Sequence, residues 1–389
     1  MTYLADLHIH VGINEDGKWI KIPSTKKLTV RNILKAAKDE IGLDVVGIID
    51  ALSPLVQKDV KKLIQDGELT PLAGGGYMYQ ENLLLVLGGE VETRETNGGL
   101  AHSLLFLPTV EEMLSLSRTL SKHIKNINMS SQNAHMTLAE LYDIAFEHSA
   151  KIIPAHVFTP FKSVYGNCTD KITHILPQQE KYITAIELGL SSDTFLADRI
   201  DELSGYNYLT NSDAHSLQNI AREFNKIDIK NQLDYKNLFL AIEGKEGAIV
   251  ENYGLNPAMG KYYLTRCADC GSDADFTDKK CKICGGRIVR GVKERIDEIA
   301  DRPFCVSPEK RAKYRYHMPL CEIPGIGKKA IDKICFEKFT QLEVLYDINE
   351  EKLQNLLGKR AAANIMQIRS GDFSISGGGA GKYGYVIIN

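Results

Sequence analysis

The chain has 389 residues, 43% hydrophobic and 25% charged, which suits two or three globular units with proper cores. No apolar run approaches the roughly 20 residues of a membrane helix, and the first residues show no charged-then-apolar leader, so a cytoplasmic protein in a reducing compartment is expected. A net charge of −3 excludes a uniformly basic nucleic-acid coat, although such a mean can hide one basic domain.

Up to about residue 252, short apolar runs alternate with longer stretches whose apolar residues fall three and four apart. Strands are predicted at 3–7, 44–49, 83–87, 103–107, 151–155, 184–188 and 206–210, with helices at 30–41 and 138–148 among those between them. Seven strands alternating with helices read as an α/β parallel sheet closed, or nearly closed, into a barrel. The Pro/Gly/Asn-rich stretch 252–260 reads as a linker. This divides the chain into a barrel domain at 1–252, a four-cysteine module at 260–290 and a basic helical domain with a glycine-rich tail at 291–389.

Asp6-Leu7-His8-Ile9-His10 follows directly on the first strand. Alternate residues of an extended segment share a face, so His8 and His10 can approach one ion together. Further donors recur at predicted strand edges: Asp50, Glu90, His102, His156, Asp213 and His215. Barrel chemistry sits at one rim, so polar residues placed there repeatedly point to one shared site, against the alternative of separate surface histidines. Nitrogen and carboxylate donors favour Zn, Mn or Fe, and a pair of such ions suits phosphoester hydrolysis. Glu187 and Asp193 follow another strand as acids that can orient the ligands. Asp193 reads either as an acid or base near the ions or as the cap of a helix starting near Thr194.

As a set, these motifs resemble the PHP (polymerase and histidinol phosphatase) family over the first 250 or so residues. The resemblance implies a distorted (β/α)7 barrel that hydrolyses phosphoesters with two ions (Zn, Mn or Mg), or three. It implies one ion held by His8, His10, Glu90 and Asp213, with Glu90 bridging to a second held by His102 and His156. The family's third site needs histidines that are absent here: position 51 is Ala51, and residues 11–19 contain none. Asp50 and His215 are left as incomplete ligands. His8, His10, Glu90 and Asp193 are the catalytic candidates.

Cys267-Ala268-Asp269-Cys270 and Cys281-Lys282-Ile283-Cys284 form two CxxC knuckles ten residues apart, the spacing of one tetrahedral structural Zn. Cys168, Cys305, Cys321 and Cys335 have no such partners. Ile323-Pro324-Gly325-Ile326-Gly327-Lys328-Lys329 matches a helix-hairpin-helix turn. Gly325 and Gly327 let backbone amides approach a DNA phosphate, and Lys328 and Lys329 add counter-charge. The surrounding segment 287–334 carries 12 Lys/Arg against 7 Asp/Glu, the local excess a nucleic-acid footprint requires. Tyr314, Tyr316 and His317 read as base stackers or as core. The glycine-rich tail 376–384 lacks the Walker spacing and reads as a flexible segment that brings Lys382 and Tyr383 to DNA or the barrel mouth.

Barrel, zinc module and hairpin in this order resemble the endonuclease Q family of DNA-repair enzymes over nearly the whole chain, with further matches at residues 47–51, at 160–166 and in the glycine-rich C-terminal end. The resemblance implies nicking of duplex DNA on the 5′ side of deaminated bases (uracil, hypoxanthine, xanthine) and of abasic sites. Sliding-clamp binding, seen in archaeal relatives, finds no motif here. Deamination weakens pairing and lowers the cost of extruding the damaged nucleotide. Loops 158–166 and 74–80 are expected to build the base pocket, with Phe161, Tyr165, Tyr77 and Tyr79 as stackers. A DNA-binding adaptor with an inert barrel and a small-molecule phosphoesterase are the alternatives.

Overall fold

The computed structural model describes residues 1–22, 24–371 and 373–387. Its framework is a ring of seven strands: β1 (Thr2–Ile9), β2 (Val45–Ile48), β3 (Leu83–Arg94), β4 (Leu100–Leu107), β5 (Lys151–Pro154), β6 (Ile186–Glu187) and β7 (Tyr208–Leu209). β1, β2 and β3 run parallel. A bridge from Ile152 to Ile183 leads to the parallel pair β6–β7, and a bridge between Ile9 and Ala214 returns to β1. The sheet is not parallel throughout, as had been expected: β4 pairs antiparallel with both β3 and β5. The connection between β3 and β4 spans only residues 95–99, too short for the crossover that a parallel pair needs. The result is a distorted PHP-like barrel.

Strand periodicity explains how the rim acquires its chemistry. Leu84 and Val86 of β3, Leu104 and Phe106 of β4, and Val45, Ile153 and Leu209 pack into one buried cluster. Leu85, Leu87, Leu105 and Ile152, on the other face, join the helices in a second cluster. Alternate strand residues share a face, so the face with Leu84 and Val86 carries Glu90 and Glu92 at the rim, and the face with Phe106 and Leu104 carries His102. The helices outside start at capping side chains. Thr29 caps Val30–Lys35, Ser53 caps Pro54–Gln65, and Thr137 forms a capping box with Glu140 on Leu138–Glu147. The predicted helix at 30–41 turns π-helical from Ala36 to Ile41.

The expected linker at 252–260 is ordered core. β8 (Phe224–Ile229) pairs antiparallel with β1, and β9 (Gly247–Gly254) pairs antiparallel with β8. Asn252 is buried and donates to Tyr208 O, while Leu255 and Met259 are buried beyond it. β10 (Lys313–Tyr316) then adds in parallel to β9, so the C-terminal region contributes a strand to the barrel's own sheet. Tyr314 and His317 are core, whereas Tyr316 is half exposed.

The two knuckles lie beside a short ribbon of Arg266–Cys267 and Ile288–Val289. Among the described residues, the helices of the C-terminal lobe are Val292–Ile299, Lys328–Phe336, Gln341–Tyr346, Glu350–Leu357 and Lys359–Ser370. The hairpin is entered from a single 3-10 turn, Leu320–Glu322, in place of a first full helix. The tail is not a loose segment either: Ser374–Ser376 pairs with Tyr385–Ile387. No described helix is long and apolar enough to cross a membrane.

Candidate active site

At the rim, two groups of donors gather, one of His8, His10 and Asp213 and the other of Glu90, His102 and His156. Glu90 lies between them. Its Oε1 is 2.7 Å from His102 Nδ1, 3.4 Å from His156 Nε2 and 3.6 Å from His8 Nε2, while Oε2 is 3.7 Å from His10 Nε2. Asp213 Oδ1 is 3.4 Å from Nε2 of both His8 and His10.

Each histidine is held by its other ring nitrogen. His8 Nδ1 lies 3.0 Å from Glu187 Oε1, His10 Nδ1 3.2 Å from Asp50 Oδ2, His102 Nε2 3.4 Å from Glu92 Oε2 and His156 Nδ1 3.0 Å from Thr159 Oγ1. Such partners set the tautomer and ring orientation of metal-binding histidines. The Nε2 atoms of His8 and His10 are fully buried and have no hydrogen-bond partner. Orphaned buried nitrogens are costly unless something outside the protein binds them, so the donor sets fit a pair of divalent ions. Burial alone would raise the Glu90 carboxyl, but the charges of His102 and Lys21 hold it well below the usual range. Burial likewise opposes charge on Asp213, and His8, His10 and His215 hold it well below. Both groups are therefore held as carboxylates, the form in which a divalent ion could bind them.

The backbone is shaped to the same end. Asp6 is buried and accepts from Ser212 N at 3.1 Å, Ala221 N at 2.9 Å and His8 N at 3.3 Å, clamping the first motif to the Asp213 loop. Glu187 accepts from His156 N at 2.8 Å and Asn211 Nδ2 at 2.8 Å, so a single carboxylate orients both donor groups. His156 and Asp213 both sit at positive φ, +31° and +46°, the kind of strain that clusters at functional positions.

The remaining expected site residues fall in several places. Asp50 also accepts from Val11 N at 2.6 Å and acts as the His10 partner. His215 turns Nδ1 to the Asp213 carbonyl oxygen at 3.0 Å and packs its ring 4.4 Å from His10. Neither joins a donor group. Asp193 takes the capping arrangement: Oδ1 accepts from Leu196 N at 2.8 Å and Oδ2 from the Tyr316 hydroxyl at 2.9 Å. It is not among the residues lining the cleft, although Ser191 is.

The base-pocket expectation needs correction. Tyr77 and Tyr79 are core residues near the start of β3, at the end of that strand away from Glu90, and the Tyr77 hydroxyl accepts from Val110 N. Tyr165 is also buried, stacked on Phe158, with its hydroxyl donating to Glu202 at 2.7 Å. Phe161 alone of the four lines the metal cleft, a cavity of about 270 Å³.

Tyr262 and Lys261 share that wall, and Lys21 and Lys162 bring ammonium groups. Lys21 Nζ lies 3.4 Å from Glu90 Oε2 and 2.6 Å from Ser131 Oγ. Lys162 Nζ is 2.8 Å from Glu92 Oε2. Glu92 was within reach of the sequence, two residues after Glu90 on the same strand face. Lys21 was not, because only the folded loop carries it inward.

Beyond the barrel, the four sulfurs of Cys267, Cys270, Cys281 and Cys284 gather into one donor group, with Cys267–Cys284 at 3.5 Å and Cys270–Cys281 at 3.7 Å, which fits one structural Zn. Gly325 sits at φ +86°, and Gly327 caps Lys328–Phe336 with no side-chain partner for the first amides. Lys328 and Lys329 open that helix at the surface.

No protein-family model matches the chain. Over 386 residues it is 39% identical to the uncharacterized protein YqxK of Bacillus subtilis, covering 98% of each chain. Among solved structures, the lesion-specific endonuclease PfuEndoQ from Pyrococcus furiosus aligns with a TM-score of 0.84 at 31% identity, over 100% of this chain and 96% of that one. Endonuclease Q in complex with a 27-mer duplex substrate with an abasic lesion at the active site aligns with a TM-score of 0.86 at 30% identity, over 100% and 97%. The likeness runs along the whole of this chain and nearly the whole of both structures, and the chain belongs to the endonuclease Q family.

Proposed function

We propose that this protein is a metal-dependent endonuclease that nicks duplex DNA on the 5′ side of deaminated bases and abasic sites. One observation carries the reading: two donor groups bridged by Glu90 lie in a cleft lined by lysines and aromatic rings, within a chain that matches a lesion-bound endonuclease along its whole length. Divalent ions held there would supply Lewis-acid polarisation of water and phosphate.

His8, His10 and Asp213 would hold one ion, His102 and His156 the other, with Glu90 between them. Glu187, Asp50 and Glu92 keep the histidine rings aimed. Lys21 and Lys162 place positive charge where the phosphate enters. Phe161 and Tyr262, edge to face at 5.5 Å, offer stacking surface to an extruded nucleotide. Asp193 acts as a positioning residue that fixes the turn bearing Ser191. Asp50 and His215 serve the same end at the first ion, so the reading has two barrel ions and no third.

In this division of labour the barrel spans 1–252, the zinc module 260–290 and the DNA-gripping lobe 291–389. Gly325, Gly327, Lys328 and Lys329 hold the duplex by its backbone and read no sequence. A duplex DNA substrate supports a cytoplasmic, nucleoid-associated location for the protein.

The test is direct. Labelled duplexes with a single uracil, hypoxanthine or abasic site are incubated with the protein and Mn or Mg, and the cut is mapped. A nick immediately 5′ of the lesion is the expected product. Turnover of p-nitrophenyl phosphate with intact DNA would instead favour a small-molecule phosphoesterase.

A further inference from the structure

The glycine-rich tail is the sequence motif that neither the metal centre nor the hairpin uses. In the structure it is a strap bonded along residues 258–264, two of which, Lys261 and Tyr262, line the metal cleft. Gly378 N donates to Ala258 O at 2.7 Å, Leu264 N to Gly378 O at 3.2 Å, Gly381 N to Lys261 O at 2.8 Å and Gly384 N to Met259 O at 2.9 Å. A Cβ on Gly378 would lie 2.5 Å from Gly260 O, and one on Gly384 would lie 2.4 Å from Ala258 O. These glycines serve close approach between backbones, not looseness.

What the strap holds in place is Tyr383. The residue is 49% exposed and, with Arg222, lines a cavity separate from the metal cleft. Arg222 Nη1 donates to its hydroxyl at 3.1 Å. The same guanidinium donates through Nε to Ser212 O at 2.6 Å and through Nη2 to Asp213 O at 3.1 Å, so Tyr383 is one side chain away from a metal-ligand backbone. Lys261 stands between two rings, its Nζ 5.9 Å from the Tyr383 centroid and 5.1 Å from that of Tyr262, and both Lys261 and Tyr262 line the metal cleft. An exposed ring flanked by cations, next to a nucleic-acid cleft, is the composition of a base-stacking platform.

We infer that the C-terminal strap is a substrate-binding element and that Tyr383 stacks on a base beside the extruded nucleotide, with Lys261 and Arg222 meeting the adjoining phosphates. This rests on the endonuclease reading and extends it to a residue outside the barrel. The strap follows the lobe's last helix, Lys359–Ser370, and bonds to residues 258–264 beside the cleft.

The experiment compares the full-length wild-type chain with Tyr383→Ala, Tyr383→Leu and Tyr383→Phe. The duplex carries an abasic site, a 2-aminopurine next to it, and a methylphosphonate at the scissile linkage so that binding is read without cutting. A matched cleavable duplex reads single-turnover nicking. Wild-type binding is expected to quench the 2-aminopurine. Tyr383→Ala and Tyr383→Leu lose the quench and bind about tenfold more weakly, the scale of one lost stacking contact, with metal content and melting temperature unchanged. Tyr383→Leu reads the ring's loss should the smaller side chain loosen the strap. Tyr383→Phe, which keeps the ring, restores the quench and most of the affinity.

Affinity and quench unaltered in both ring-less variants would overturn the inference while leaving the endonuclease reading intact. So would equal loss of nicking in all three variants with binding unchanged, since only the hydroxyl's hold on Arg222 would then matter. A wild-type chain that leaves the cleavable duplex whole would overturn the endonuclease reading, and this one with it.

Discussion

The metal cleft and the hairpin differ in how they are prepared. In the cleft, each of the four histidines has one nitrogen tied to a protein partner and the other turned inward, and the surrounding atoms are buried. At the hairpin, nothing lies within 4 Å of where a Gly327 Cβ would be, and the first amides of the following helix have no side-chain cap. One site is preorganised by protein partners; the other leaves its donors facing solvent. On the proposed function the first governs chemistry and the second residence on DNA, and substitutions should separate the two.

The largest effect is expected at the bridge. Glu90→Gln keeps the shape but removes the charge shared by both donor groups. Nicking should fall roughly a thousandfold, and atomic emission should show the barrel ions lost while the cysteine module keeps its zinc. Retention of both barrel ions at normal activity would break the contrast at its strongest point.

Next comes Glu187→Gln, one step back from the ions. It leaves the ligands in place but loosens His8 and His156, and should lower barrel metal affinity and nicking by about 10–100-fold, measured by metal titration and single-turnover kinetics. Binding to an uncleavable lesion duplex should barely change.

A smaller loss belongs to the hairpin. Gly325→Val places a β-branched residue at φ +86°, and with Gly327→Val it should weaken binding to damaged and intact duplexes alike, by about tenfold. Nicking at saturating protein should persist. Lys328→Gln should reduce the slope of log affinity against log salt by about one. The smallest effect is expected at Tyr165→Phe, which removes a buried hydroxyl's bond to Glu202. Stability should fall by about 1 kcal/mol in urea unfolding, with no change in the choice among lesions.

Much of the donor cluster was legible because its residues lie where local chemistry changes. His8 and His10 end a strand two residues apart, Glu90 follows two glycines, and His102, His156 and Asp213 sit at other strand edges. The cysteine knuckles were legible for a similar reason, since one ion needs four thiolates from a short span. Aromatic residues gave no such signal. Tyr77, Tyr79 and Tyr165 occupy the core and Phe161 the cleft, and a ring's identity does not say which side of a barrel wall it faces. The tail's glycines were misread because close backbone packing and flexibility call for the same residue.

By itself, the sequence pointed to the seven strands, the His8 and His10 pair, the cysteine knuckles and the hairpin, because each depends on residue types a few positions apart. Tertiary structure decided the rest: which acid orients which histidine, that Lys21 reaches Glu90 across 69 positions, that Asp193 caps a helix, and that the glycine strap brings Tyr383 beside Arg222. Those pairings join residues from separate strands and loops. Their energies depend on distance and burial, which exist only after the barrel has closed.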